Sequence, residues 1–186
     1  MTILMLLMIL TVIGIASITV TGTGNRMAWF GRTGESGNSA AEACVQTAVK
    51  IVQQTIDNGS LPATFLANAN PAGPVPTTNS ATLQSEILGQ LDNNGDAAEV
   101  TPNTSVMVDN FTVRGDIDRL YAKPKSGGSL QFAAGYEGTA GGAGGGGVEI
   151  LYRFDCVATN AATGTRSRIM AVYACTVTGE TCQKKI

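Results

Sequence analysis

The residues that could do chemistry in this chain are few, and their spacing points away from catalysis. Asp92, Asn94 and Asp96 alternate around Gly95, with Glu99 beyond, and oxygen ligands alternate in this way at the start of a calcium loop. The full twelve-residue pattern and its closing bidentate glutamate are missing, so a simple turn after a helix accounts for them. We expect no metal and no cofactor, calcium at Asp92, Asn94 and Asp96 being the one exception that the residue types allow. Asp109, Asp116 and Asp118 are close in sequence, but Arg114 and Arg119 are interleaved with them, and exposed strand-end charges account for them. Serines are plentiful, yet no G-x-S-x-G elbow or S-x-x-K pair supplies a base. There is no histidine, which removes the commonest general base near neutral pH and the commonest metal ligand. We therefore expect no catalytic residues and no enzyme. Asn103 and Asn110 open glycosylation-type sequons, which Thr-rich strand composition explains better.

Four cysteines remain: Cys44, Cys156, Cys175 and Cys182. No C-x-x-C pair is present, so zinc or thioredoxin-type chemistry has little support. An even count beyond an apolar N-terminal segment suggests two disulfides in an oxidising compartment. Net charge is −2, and the balance leaves no basic footprint for nucleic acid. Charged residues make up 14% of the chain against roughly 25% in ordinary soluble domains, and aromatic residues 5%. Such a chain buries small side chains in a thin core.

The elements that must position these residues begin with an apolar run. No charged side chain occurs from Met1 to Asn25, and Ile3 to Val20 is almost wholly apolar. Those eighteen residues span about 27 Å as a helix, close to the hydrocarbon thickness of a bilayer. Arg26, Trp29, Phe30 and Arg32 follow, the basic and aromatic mixture found where a helix leaves lipid. A secretory signal is the alternative, but signals carry a basic n-region and a shorter apolar stretch. The two arginines alone would place their side in the cytoplasm by the positive-inside tendency; the cysteines argue for the opposite side. We expect a retained single-pass anchor with an extracytoplasmic domain.

Next, Ala40–Ile56 has the period of an amphipathic helix: Ala41, Val45, Ala48, Val49, Val52 and Ile56 line one face, with Glu42, Gln46, Lys50 and Gln53 elsewhere. Ser39 and Glu42 have capping-box spacing and Gly31, Gly34 and Gly37 precede them, so a break with a restart at Ser39 competes with one continuous helix. Asp57-Asn58-Gly59-Ser60 stops it. Residues 59–80 read as an extended loop, Ser80–Leu91 as a short helix on Leu83, Ile87 and Leu91, and Asp92–Asp96 as a turn. Strands are expected at Ser105–Arg114, Arg119–Ala122, Leu130–Tyr136, Val148–Thr159 and Arg166–Val177, with alternation clearest in Val148, Ile150, Tyr152, Phe154 and Cys156. The glycine-rich run Gly135–Gly147 is a loop and no phosphate cradle, since no Lys-Ser/Thr follows it. A long helix on an antiparallel sheet is an α+β arrangement. The inward face of the Val148 strand ends at Cys156, and the helix presents Cys44 beside its stripe. Cys44–Cys156 with Cys175–Cys182 is thus the favoured pairing of three that four cysteines allow.

The N-terminal third carries a resemblance. Leu10-Thr11-Val12-Ile13-Gly14, then Asn25-Arg26-Met27-Ala28, then Ala40-Ala41-Glu42-Ala43-Cys44 occur in the order and at about the spacing found in PilX-type minor pilins of type IV pili. Tyr152-Arg153-Phe154 is similar to that family's closing strand. The resemblance covers about the first 50 residues. It implies a pilin-like fold: residues 1–25 as the transmembrane and filament-core half of a long helix, 26–57 as its amphipathic half, and 58–186 as a globular domain with a C-terminal hairpin. It implies prepilin-peptidase cleavage before Met1 with N-methylation there, and residence in the bacterial inner membrane before assembly into a surface pilus. Leu4, Leu6, Leu7, Ile9, Leu10 and Gly14 would pack in the filament core. Partners would be other pilins, other minor pilins and a tip adhesin, with roles in priming, adhesion, aggregation or motility. Met5 stands where major pilins carry a glutamate, which favours a minor subunit. The alternatives are a major pilin, a minor pseudopilin of type II secretion, or a membrane-tethered periplasmic binding domain or hydrolase.

Overall fold

The computed structural model of the chain describes residues 1–91, 98, 101–124, 148–176 and 182–185. Helix α1 covers Thr2–Asn58 without a break, so the restart at Ser39 does not form. No proline interrupts this span, and its glycines weaken a helix without ending one. By compactness the chain divides into two units, Met1–Ser36 and Gly37–Ile186.

In the first unit, residues 1–32 are all exposed. The stretch is long and apolar enough to cross a membrane.

In the second unit, α1 buries one face from Gly37 through Thr55 and leaves Glu42, Gln46, Lys50 and Gln54 to solvent. Gly37, Ala40, Ala41 and Ala48 bring this face close to the sheet: a Cβ on Gly37 would stand 3.1 Å from the Phe111 ring. The helix ends where Gly59 takes φ +66°, the left-handed conformation that glycine adopts without penalty.

Residues 59–79 form a loop, as the composition suggested, but one folded on itself and not an open one. A single 3₁₀ turn at Ala63–Phe65 is followed by a parallel bridge between Leu66 and Val75, and Val75 is fully buried. Two backbone bonds, Ala67 N–H to Val75 O at 2.8 Å and Val75 N–H to Phe65 O at 2.9 Å, close the segment on itself. Gly73 makes that possible, since a side chain there would collide with the Phe65 carbonyl. Helix α2, Ser80–Ile87, stops four residues before the expected Leu91. Gly89 turns the chain at φ +75°, and the amides of Gln90 and Leu91 both return to Ser85 O, so Leu91 is exposed instead of continuing the Leu83–Ile87 face.

Among the described residues five antiparallel strands follow as a meander, β1 Thr104–Val108, β2 Phe111–Pro124, β3 Val148–Thr159, β4 Arg166–Thr176 and β5 Gln183–Lys184. The expected strand Ser105–Arg114 is two strands, because Asp109-Asn110 forms a two-residue reversal with Asp109 at φ 51°. The expected Arg119–Ala122 is the far end of β2, offset by an irregularity between Arg119 and Tyr121. Between β3 and β4, Asn160 Oδ1 accepts from the amides of Ala162 (3.0 Å) and Thr163 (3.2 Å) and holds the turn. Strand β5 had no sequence signal. Leu130–Tyr136, Val177, the Gly135–Gly147 run and the Asp92–Asp96 turn lie outside the described residues.

The inner face of the sheet carries Val113, Ile117, Ile150, Tyr152, Phe154, Cys156, Ala171 and Tyr173 against the helical face, forming one core. Phe154 packs between two rings, stacked with Tyr152 at 6.5 Å and edge-on to Tyr173 at 5.4 Å. The arrangement is α+β, of the pilin-like kind that the N-terminal motifs imply.

Candidate functional site

The first unit exposes its apolar side chains. Leu4, Leu6, Leu7, Ile9 and Leu10 are all more than half exposed, and Met1 is fully so. Its polar groups are handled differently. The hydroxyl of Thr11 donates to Met8 O (2.8 Å), Ser17 to Ile13 O (2.9 Å), Thr19 to Ala16 O (2.9 Å), Thr21 to Ser17 O (2.8 Å) and Thr23 to Val20 O (2.9 Å). Each returns to a carbonyl one turn back. A hydroxyl satisfied this way needs no water, which is the condition that hydrocarbon or a dry helix-packed core imposes. Beyond Asn25, Trp29 and Phe30 meet edge to face at 5.2 Å and remain exposed.

A further pattern emerges once the helix is known to be continuous. Gly14, Ser17, Thr21, Gly24, Ala28 and Gly31 recur at alternating steps of three and four residues, hence on one face. A Cβ on Gly14, Gly24 or Gly31 would meet nothing within 4 Å. Small residues on one face let another helix approach closely, and here the space beside them is open.

The second unit is braced by its cysteines. Cys44 of α1 is bonded to Cys156 of β3, with Cα atoms 6.1 Å apart, and Cys175 of β4 is bonded to Cys182 before β5. Gly115 on β2 lies over the first bridge. A Cβ there would stand 2.5 Å from Thr104 Oγ1 and 2.6 Å from Cys44 Sγ, so only glycine lets β2 pass the sulfurs. The sequence marks Gly115 only as a glycine inside a strand pattern, a signal of close backbone approach.

Of the acidic candidates, Asp92, Asn94 and Asp96 lie outside the described residues. Asp109 sits in the β1–β2 reversal, but Asp116 and Asp118 are not the exposed strand-end charges expected: they lie within β2, buried on its outer face, where β3 pairs alongside. Arg153 binds Asp118 from the neighbouring strand, Nε at 2.8 Å and Nη2 at 2.7 Å, and Arg168 holds Asp155 in a two-pronged bond at 2.8 and 2.6 Å. These pairs went unseen in the sequence because they depend on the pairing of β2 with β3 and of β3 with β4. Tyr152, inside the core, donates to Ile87 O at 2.7 Å. Burial pushes its hydroxyl well above the usual phenol range, while the charge and hydrogen bond of Arg119 pull the other way without prevailing. A phenol so held is a structural donor between α2 and β3. Among the described residues no group of three His, Cys, Asp or Glu side chains is placed to hold a metal ion.

Comparison of the chain with protein families, with curated proteins and with solved structures finds no match.

Proposed function

We propose that this chain is a structural subunit of a type IV pilus, a PilX-type minor pilin that waits in the bacterial inner membrane and acts at or near the pilus tip. The observation that carries the reading is the stretch of α1 up to Asn25, free of charged side chains, whose apolar side chains are exposed while the hydroxyls of Thr11, Ser17, Thr19, Thr21 and Thr23 return to its own carbonyls. Such a surface suits lipid before assembly and a helix-packed core afterwards, because neither environment offers water. The face of small residues from Gly14 to Gly31 supports the second environment in particular. The disulfide-braced α+β unit fits an extracytoplasmic location. Met5 in place of the glutamate of major pilins favours a minor subunit, with priming of assembly and support of a tip adhesin as its work.

The test is quantitative mass spectrometry of sheared surface filaments and of membranes from the source bacterium, paired with deletion of the gene. Presence in filaments at trace level, with loss of piliation on deletion, is expected. Stoichiometric abundance would make the chain a major pilin. Confinement to membranes with normal piliation would overturn the proposal and leave a tethered domain.

A further inference from the structure

The outer face of the sheet separates its charges by depth. Asp116, Asp118 and Asp155 are only 2%, 1% and 4% exposed. The bases above them are accessible: Arg114 and Arg166 are exposed, and the side chains of Arg153 and Arg168 are 32% and 47% exposed while bonded to Asp118 and Asp155. Register puts all of these on one face, since Arg114 and Arg168 flank Val157, and Asp116 stands opposite Asp155. At one end of the same face Lys123 and Lys185 both approach Glu149 at 3.6 Å, and Glu149 is again the less exposed partner. The chain as a whole has a net charge of −2, yet this face turns six cations outward over four shielded carboxylates.

A carboxylate beneath a guanidinium, as Asp118 is to Arg153 and Asp155 to Arg168, fixes its plane, which lowers the ordering cost of binding a second anion at this face. Arg166 and Arg168 are two residues apart on β4, about 6.7 Å, and Arg114 lies two strands from Arg168, about 9.6 Å. An extended peptide presents alternate side chains at that same two-residue repeat of about 6.7 Å. Single-stranded nucleic acid would call for aromatic platforms, and Tyr121 is the lone exposed aromatic on this face among the described residues. We propose that the outer face of the sheet is a docking surface for an acidic polypeptide segment, whose carboxylates accept hydrogen bonds from Arg114, Arg166 and Arg168. The surface stands independently of the filament reading, and failure of either leaves the other in place.

The test uses the full chain in uncharged detergent micelles and a fluorescein-labelled decaglutamate peptide, read by anisotropy at low and moderate salt. Saturable binding that weakens with salt is expected, and the double variant Arg114→Gln, Arg166→Gln should bind about tenfold or more weakly with an unchanged melting midpoint. Arg114→Lys with Arg166→Lys should retain charge-driven binding but lose part of the affinity, since the planar fork is gone. Absence of binding by the unaltered chain, or equal binding by the Gln variant, would overturn the proposal. Tighter binding of a duplex oligonucleotide than of decaglutamate would also overturn it and reassign the face to nucleic acid. Should the Gln variant fail to fold, phenylglyoxal labelling of the unaltered chain decides. Protection of Arg114 and Arg166 by decaglutamate supports the surface, and unchanged labelling refutes it.

Discussion

Single residues decide how tightly the second unit closes. Gly115 is one: adding a methyl group at that site forces it against Thr104 and both sulfurs of the Cys44–Cys156 bridge. Overpacking of a filled core costs about 1–3 kcal/mol, so Gly115→Ala should lower the thermal midpoint measurably, as followed by circular dichroism in micelles. Removing the bridge at the same time should recover part of that loss, because the sulfurs no longer occupy the contested space. Tyr152 is another. Its hydroxyl is raised above its ordinary value by burial, so the unfolded chain releases this proton before the folded one does. The neutral phenol therefore contributes stability that is fully present below about pH 10 and is lost as pH rises above it. Tyr152→Phe should flatten this alkaline loss while lowering stability at neutral pH by about 0.5–1.5 kcal/mol, since the bond to Ile87 O goes with it. Equal alkaline slopes in chemical-denaturation curves of the two proteins would show that the hydroxyl is not the group that titrates.

At the level of elements, the two disulfides should be far from equal. Cys44 and Cys156 are 112 residues apart in sequence, whereas Cys175 and Cys182 are 7 apart. The chain-entropy relation gives about 5 kcal/mol for the first closure and about 2 kcal/mol for the second. Replacing Cys44 and Cys156 by alanine should accordingly cost more than replacing Cys175 and Cys182, in the denaturant midpoint of otherwise unchanged protein. What the sequence revealed about these elements follows from which signals are local. The stripe Ala41, Val45, Ala48, Val49 and Val52 and the alternation from Ile150 to Cys156 are local periodicities, and both emerge as buried faces. The β1–β2 reversal was hidden because Asp109-Asn110 lies within an unbroken β-prone run, Ser105–Arg114, without the glycine that usually marks such a turn. Leu91 was misassigned because four-residue spacing was followed past Gly89, where the backbone leaves the helical region. The ion pairs on the outer face, and the closeness of Gly115 to a disulfide, exist only after strands far apart in sequence are in register.

For the whole molecule, the question is whether the exposed helix serves lipid alone or also a helical partner, and the glycines separate the two. A Cβ on Gly14 or Gly24 meets nothing within 4 Å, so nothing in the described chain resists a larger side chain at either site. Leucine is also a better helix former than glycine, by up to about 1 kcal/mol per site, and is at home in a bilayer. Gly14→Leu with Gly24→Leu should therefore leave membrane insertion intact and the melting of the second unit unchanged. If the face from Gly14 to Gly31 packs against neighbouring helices in a filament, the same double variant fills the space into which they must come. Recovery of the subunit in sheared filaments should then fall several-fold, while Val12→Leu with Ile15→Leu, on the opposite side of the same helix, should have little effect. Normal incorporation of the glycine-to-leucine variant would mean that the small-residue face contacts no partner and that the helix acts as a lipid anchor only.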